Sequence, residues 1–332
     1  MPHVEFLLGL VPVCVFLVAL FLFDSYKLAP PRALFVAMAA GAVSAGIAYP
    51  VNASLMTSTG IGLTTYTRYV APFVEESLKS AFLVYLLATR RTGFLVDTAI
   101  EGFAIGAGFS LVENIAYVAS LGSHSALLWL VRGFGTAMMH GAATSIAGVV
   151  GKVMSDRAGG ARAATLLPGV FLAIVIHSAF NHFFIPAVAT TMLIVLLLPI
   201  LMSIVFARSE DATRRWLGVG FDTDRELLEM ISSGGVAETR IGRYLQTLQN
   251  RFPGEILADM LCVLRLRLEL AVQAKGLLLM REAGFEIPPD PEVKAKFDEL
   301  RYLRKSIGPT GMLVLQPFLH TPEEQLARLL RV

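Results

Sequence analysis

The first two thirds of the chain consists of long apolar runs separated by short polar connections. A helix must contain about 20 mostly apolar residues to cross a bilayer, because the hydrocarbon core is about 30 Å thick and a helix rises about 1.5 Å per residue. Seven runs have this character and indicate an all-α, polytopic membrane helix bundle of about seven spans. The predicted spans lie near residues 4–23, 33–52, 70–89, 94–120, 124–151, 163–185 and 187–207.

After the seventh run the pattern changes to amphipathic helices with apolar stripes of helical period. We predict one helix over 224–249, a second from Pro253 to the stop at Gly284, a third over 291–306 and a short last one. We therefore expect two domains, a transmembrane domain at 1–207 and a cytoplasmic, soluble helical domain at 208–332. The second has no catalytic spacing, so we expect it to serve regulation, partner docking or homo-oligomerisation.

The composition agrees with this division. Of the 332 residues, 55% are hydrophobic and 16% charged, whereas soluble proteins are typically about 25% charged. Residues 1–207 hold 18 charged side chains and residues 208–332 hold 36. A net charge of +2 gives no bulk electrostatic support to nucleic-acid binding. The two cysteines, Cys14 and Cys262, lie in different domains, which excludes a disulfide framework and a cysteine metal site.

Basic residues in the connections predict the orientation of the bundle. They fall in alternate connections, so the positive-inside rule places the N-terminus outside and the C-terminal domain in the cytoplasm. These residues are Lys27, Arg32, Arg90, Arg91, Lys152, Arg157, Arg162, Arg208, Arg214 and Arg215.

Several predicted spans carry ionisable side chains, each of which costs at least about 2.5–3.5 kcal/mol near the bilayer centre on insertion scales. Residues four apart share a helix face, and four spans each present such a polar pair. Lipid would repel all four faces, so we expect them to meet inside the bundle. The pairs are Glu75 with Lys79, Glu113 with Tyr117, His140 with Thr144, and His177 with Asn181.

The depth of these side chains is a second constraint. With the predicted orientation, Glu75, Glu113 and His177 lie in the outer half of the membrane. His140 fits less well, because the start of its span leaves it at the midplane or deeper. We therefore expect three of the four side chains to lie at a common depth, and the depth of the fourth, His140, stays open.

Two carboxylates, two imidazoles and an amide in a partly dry cavity suit general acid–base hydrolysis. The signatures of serine, aspartyl and His-Glu-x-x-His zinc hydrolases are absent from the sequence. A zinc site built from Glu75 or Glu113 together with His140 and His177 is stereochemically allowed.

Two other classes of function use the same residues. An ion-coupled transporter would use the buried carboxylates as proton sites, but we see no inverted repeat that would favour it. A non-enzymatic membrane scaffold would use the polar network, Glu75 with Lys79 and Glu113 with Arg132, only to orient its helices.

Four short segments resemble motifs of PrsW-type proteases and occur in that family's order. The first resembles the Glu-Glu-x-x-Lys motif, and the second is similar to the Glu-Asn-x-x-Tyr segment. The family belongs with the CAAX-prenyl-protease and bacteriocin-processing superfamily of glutamate-dependent membrane proteases. The segments are Glu75-Glu76-Ser77-Leu78-Lys79, Glu113-Asn114-Ile115-Ala116-Tyr117, Arg132 with His140, and His177-Ser178-Ala179-Phe180-Asn181.

The resemblance implies catalytic roles for five of these residues. Glu75, with or without Glu76, would be the base that activates a water molecule. His140 would help to hold that water. His177 and Asn181, one helical turn apart, would stabilise the oxyanion.

The resemblance also implies four supporting residues. Lys79 would neutralise one glutamate of the pair so that the other can act as the base. Glu113, Asn114 and Arg132 would support the site from behind.

From the resemblance we also expect the activity, an intramembrane endopeptidase in the bacterial cell membrane with 1–207 as its catalytic domain. Its substrates would be membrane-anchored proteins, in some cases anti-sigma factors cut on the external side. The glutamate mechanism requires no cofactor. The alternative is zinc bound by Glu75, His140 and His177.

Overall fold

The chain forms two compact units, Met1–Ser209 and Glu210–Val332. All regular secondary structure in the described residues is helical, which confirms the predicted all-α class. Four basic residues behind the orientation prediction, Lys27, Arg90, Arg91 and Arg162, lie outside the described residues. The computed structural model describes residues 2–26, 28–89, 93–121, 125–158, 163–285, 287–288, 290–319 and 321–330.

In its described residues, the first unit contains eight α-helices and the beginning of a ninth. Two π-helical turns, Tyr66–Val70 and Val131–Thr136, lead directly into α4 and α7. The helices are α1 (Pro2–Phe23), α2 (Pro31–Thr59), α3 (Leu63–Thr65), α4 (Ala71–Ala88), α5 (Leu95–Leu121), α6 (Ala126–Leu130), α7 (Ala137–Arg157), α8 (Ala163–His182) and α9 (Ala187–Ser232).

Four helices of the described residues are long and apolar enough to cross a membrane: α2, Leu95–Ser120 of α5, Ala164–His182 of α8, and α9. The apolar part of α1, Leu7–Phe23, is shorter. The helix α4 carries two glutamates and a lysine within 18 residues, which lowers its apolar character. The count of seven spans stays a prediction.

The central helix of the first unit is α5, which packs against α1, α2, α4 and α7. Its side chains Ile100, Phe103 and Ile105 are fully buried and form the middle of the apolar core. Helix α8 packs on the other side of α7 and against α4. The helices that carry the polar pairs are therefore neighbours in the bundle.

Small residues let α5 approach α7 closely, as expected for a packing seam. A Cβ atom on Gly106 would lie 2.2 Å from the carbonyl oxygen of His140, and one on Gly102 would lie 2.9 Å from the Cα atom of Ser145. A second close approach occurs at Gly133, where a Cβ atom would lie 1.9 Å from the carbonyl oxygen of Leu8 in α1. The first seam fixes the distance between α5 and the backbone of His140.

The second unit contains residues 210–232 of α9 and a set of shorter helices. Lys275 is buried and forms an ion pair of 2.8 Å with Asp224, and its ammonium lies 4.9 Å from the centre of the Trp216 ring. Leu264 and Leu268 of the predicted apolar stripe are buried. The further helices are α10 (Arg240–Thr247), α11 (Gly254–Glu282), α12 (Pro291–Leu315) and α13 (Glu323–Leu329).

The single helix predicted over 224–249 is wrong. Helix α9 ends at Ser232, and Gly234 follows with a φ of 81°, a left-handed conformation that ends a helix. A 3-10 turn, Gly235–Glu238, comes next, and Thr239 then caps α10 by accepting a hydrogen bond from the amide of Gly242. The predicted helix from Pro253 to Gly284 is confirmed as α11.

We predict that Gly106→Ala destabilises the membrane unit, because its new Cβ atom would collide with the His140 carbonyl group. Overpacking of a tight core typically costs about 1–3 kcal/mol. The measurement is the thermal unfolding midpoint of the purified protein in detergent. Gly46→Ala is the matched control, since a Cβ atom there has no neighbour within 4 Å. Equal midpoints for the two variants would contradict the predicted seam.

Candidate functional site

Four helices of the first unit bring a cluster of ionisable side chains together. Glu76 and Lys79 come from α4, Glu113 from α5, His140 from α7 and His177 from α8. Each touches at least one other member at 3.1 Å or less. His140 therefore lies at the same level of the bundle as the others, and the depth of this level in the membrane stays a prediction.

The ammonium group of Lys79 lies at the centre of the cluster. It donates to Oε1 of Glu76 at 2.6 Å and to Nδ1 of His140 at 2.9 Å. It also lies 4.7 Å from the centre of the Phe109 ring, a favourable position for a cation. Glu76 and Lys79 are both 0% exposed, so each charge is compensated by the other.

The pairing of Glu75 with Lys79 expected from their spacing is wrong. Glu76 and Glu75, three and four residues before Lys79, both lie on its side of the helix. The ion pair forms with Glu76. The physical reason is burial, because Glu76 points into the bundle while the side chain of Glu75 is 14% exposed.

The contacts determine which nitrogen of each imidazole carries the proton. Nδ1 of His140 receives a hydrogen bond from Lys79, so its proton lies on Nε2, which donates to Oε2 of Glu113 at 3.1 Å. In His177 the order is reversed, since Nδ1 donates to Oε1 of Glu76 at 2.8 Å. Neutral His177 therefore presents a lone pair on Nε2. The two rings meet edge to face, 4.7 Å apart.

Arg132 and Asn114 support the cluster beside Glu113. The guanidinium group of Arg132 lies 3.4 Å from Oε1 of Glu113 and donates from Nε to Oδ1 of Asn114 at 2.9 Å. It also lies over the Tyr117 ring, 3.6 Å from its centre. The amide of Asn114 donates to the carbonyl oxygen of Gly9 at 2.7 Å. These contacts tie α1, α5 and the second π-helical turn together.

Glu75 has neutral neighbours instead. Its Oε1 accepts a hydrogen bond of 3.1 Å from the amide of Asn52 in α2. The hydroxyl group of Tyr66 in turn donates to Oδ1 of Asn52 at 3.0 Å. The other oxygen of Glu75, Oε2, faces Nε2 of His177 at 3.9 Å.

Asn52 and Tyr66 were missed by the sequence analysis. The available signal was an amide at the end of the apolar run over 33–52. Nothing in the sequence linked it to Tyr66, because the π-helical turn that buries this tyrosine has no pattern of its own.

Asn181 lies at the outer edge of this arrangement. Its amide donates to the carbonyl oxygen of Thr67 at 2.9 Å, and one turn earlier the hydroxyl group of Ser178 donates to the carbonyl oxygen of Arg68. Both bonds fasten α8 to the first π-helical turn. Among the described residues, Asn181 thus contacts the chain beside the cluster, while His177 lies within it.

Glu75, His140 and His177 could hold a metal ion. Each offers one donor atom, and these atoms lie within 4.8 Å of one another. Two imidazoles and one carboxylate are a known ligand set of catalytic zinc. The carboxylate of Glu76 behind His177 is the outer contact that orients such a ligand. The donor set therefore fits zinc. To bind through Nε2, His140 would carry its ring proton on Nδ1, so Lys79 would keep Glu76 as its acceptor and give up its hydrogen bond to His140.

Comparison with known proteins identifies one related group. The family model described as PrsW family intramembrane metalloprotease matches residues 29–207, which contain every residue of the cluster. No curated protein and no solved structure matches the chain.

We predict that Lys79→Met destabilises the protein strongly, because it leaves the buried Glu76 carboxylate without its cation. Removal of one partner of a buried pair costs about 3–5 kcal/mol. The double variant Glu76→Gln/Lys79→Met should be more stable than Lys79→Met alone. The unfolding midpoint in detergent measures both effects.

Lys152→Met is the control for this comparison, since Lys152 pairs with the exposed Asp156. Loss of a surface pair changes stability by about 0–1 kcal/mol. A Lys79→Met protein as stable as this control would show that the buried pair does not hold the helices.

Proposed function

The chain belongs to the PrsW family of intramembrane metalloproteases, and we propose that it hydrolyses peptide bonds of membrane-anchored proteins with Glu75 as the general base. Membership of this family identifies the chain as an intramembrane peptide hydrolase. The assignment of the base rests on the contacts of three glutamates.

The observation that carries the proposal is the difference between the partners of these glutamates. Glu76 is held by Lys79 and His177, and Glu113 by His140 and Arg132. A carboxylate paired with a cation is stabilised in its charged form more strongly than one bound to a neutral N–H group, and it accepts a proton less readily. Glu75 has a neutral amide on one oxygen. It is therefore the carboxylate best suited to take a proton from water.

The position of His177 supports the same assignment. Oε2 of Glu75 and Nε2 of His177 are both acceptors and lie 3.9 Å apart. A water molecule can bridge them by donating one O–H group to each, since polar groups at such separations are commonly joined by water. The attacking water would then be held between Glu75 and His177. The resemblance gives the water to His140 and the oxyanion to His177, but both nitrogens of His140 are engaged and Nε2 of His177 is an acceptor.

The proposed reaction proceeds in two proton transfers. Glu75 accepts a proton from the water while the oxygen atom of that water bonds to the carbonyl carbon of the substrate. The amide of Asn181 would stabilise the oxyanion after releasing the carbonyl oxygen of Thr67. Glu75 then gives its proton to the amine that leaves when the C–N bond breaks. Lys79 keeps Glu76 and His140 in place throughout.

Zinc would be held by Glu75, His140 and His177. When bound it would act as a Lewis acid and lower the pKa of a water ligand to about 7. Glu76 would still orient His177 and Lys79 would still neutralise Glu76, whereas Glu75 and His177 would bind the metal instead of accepting hydrogen bonds from the water.

The proposed substrates are single-span proteins cut near the outer surface, of the anti-sigma-factor type. The anti-sigma-factor type is what the family resemblance implies. Cleavage near the outer surface agrees with the alternate basic connections, which put α4 and α8 with their site ends toward the outside. The same rule puts Glu210–Val332 in the cytoplasm as a helical domain for regulation or partner docking. We retain seven spans, since an odd number of crossings is consistent with an N-terminus outside and a C-terminal domain in the cytoplasm.

We predict that Glu75→Gln and His177→Ala each lower kcat/KM for a co-reconstituted single-span substrate by about 10²–10⁴, the usual contribution of a general acid or base. Proteoliposomes and gel analysis of the cleaved substrate give the rate. Glu229→Gln is the matched control, because Glu229 is exposed and pairs with Arg225 on the surface of the second unit. Full activity of both site variants would refute the proposal.

The same preparations decide the role of metal. Elemental analysis of active protein and of Glu75→Gln shows whether zinc is present and whether Glu75 holds it. Stoichiometric zinc that is lost in the variant assigns the water to a metal. Active protein without metal assigns it to Glu75 and His177 alone.

We predict that a membrane-impermeant maleimide labels Cys262 in inside-out vesicles and not in intact cells. Cys262 is exposed on the second unit, whereas Cys14 is half-buried in the apolar helix α1. Cys262→Ser should remove the label. Labelling of intact cells would reverse the proposed orientation.

A further inference from the structure

We propose that Tyr66 and Asn52 form a hydrogen-bonded relay that positions Glu75 to accept a proton from the attacking water. The inference rests on the proposed function, because it assigns a task to two residues outside the family motifs. Both are positioning residues, since neither touches the reacting atoms.

The direction of the relay follows from donor and acceptor chemistry. A carboxylate only accepts, so the group that Asn52 turns toward Glu75 must be its NH₂. This leaves Oδ1 on the other side, where the hydroxyl group of Tyr66 donates to it at 3.0 Å. A reversed amide would place two oxygens against each other at the 3.1 Å contact with Glu75. The hydroxyl group of Tyr66 can donate or accept; by donating to Oδ1 it stabilises the amide orientation that Glu75 requires.

The position of Tyr66 in the fold stabilises this orientation of the Asn52 amide. Tyr66 is 3% exposed and begins the π-helical turn that leads into α4. Its backbone amide donates to the carbonyl oxygen of Gly62, which anchors the tyrosine from the other side. The relay thus runs from a fixed turn through α2 to a carboxylate on α4.

The consequence for the reaction lies in which oxygen of Glu75 is occupied. Asn52 holds Oε1, so Oε2 is the oxygen directed at His177. Without Asn52 the carboxylate can rotate about its last torsion, which is broad for glutamate. A base that points correctly for only part of the time lowers the rate of the chemical step and leaves substrate binding unchanged.

The test compares kcat and KM of Asn52→Ala and Tyr66→Phe in proteoliposomes. Loss of a hydrogen bond to a charged group predicts a fall in kcat of about 10- to 100-fold for Asn52→Ala. Loss of the neutral bond predicts about 3- to 10-fold for Tyr66→Phe. KM should stay within about twofold of the wild-type value in both.

The double variant separates a relay from two independent structural effects. Because Tyr66 acts through Asn52, the double variant should have the kcat of Asn52→Ala alone. A kcat equal to the product of the two single losses would overturn the relay. So would a wild-type kcat in Asn52→Ala.

Two controls keep the result interpretable. Tyr69→Phe removes a hydroxyl group from an exposed tyrosine of the same π-helical turn and should leave kcat unchanged. Asn52→Leu, close to asparagine in size, replaces Asn52→Ala if that variant has a lowered unfolding midpoint. Failure of the proposed function would appear as an active Glu75→Gln protein, whereas failure of the relay alone leaves Glu75→Gln inactive and Asn52→Ala at full rate.

Discussion

The first unit depends on one buried cation. An ammonium group taken out of water loses several kcal/mol of hydration, and Lys79 recovers it only through Glu76, His140 and the face of Phe109. These three partners come from three helices, so α4, α5 and α7 cannot separate without exposing an unpaired charge to an apolar interior. His177 joins α8 to the same centre through Glu76. The requirement for neutrality thus specifies how four helices pack.

That requirement also separates the glutamates into different tasks. Glu76 is fully buried and bound to two cationic or N–H donors, so it serves as a fixed counter-ion. Glu113 is 25% exposed and shared between His140 and Arg132. Only Glu75 combines partial exposure with a neutral partner. Adjacent residues on one helix therefore differ in chemistry because the helix turns one inward and the other toward an opening.

The sequence predicted the meeting of the four polar faces because charge in an apolar run has few places to go. It could not predict which glutamate Lys79 chooses, because spacings of three and four residues are both compatible with one helix face. Asn52 and Tyr66 stayed hidden for a different reason, since their contact depends on the approach of α2 to a π-helical turn. In the second unit, the segment Ser233-Gly234-Gly235 was a recognisable signal for the end of a helix, yet the amphipathic pattern on both sides favoured one continuous helix.

The exposed edge of the cluster limits how a substrate can reach it. Lys79, His140 and His177 are at most 3% exposed, whereas the side chains of Glu75 and Glu113 are 14% and 25% exposed. In the proposed reaction, a peptide bond would therefore approach from the side of Glu75 and Glu113. In a membrane helix that bond is already hydrogen-bonded within the helix, so it must be released before water can attack its carbonyl carbon. An edge lined by carboxylates and the guanidinium group of Arg132 would offer new partners to the freed backbone groups, and this compensation would lower the cost of local unwinding beside Glu75, the proposed base.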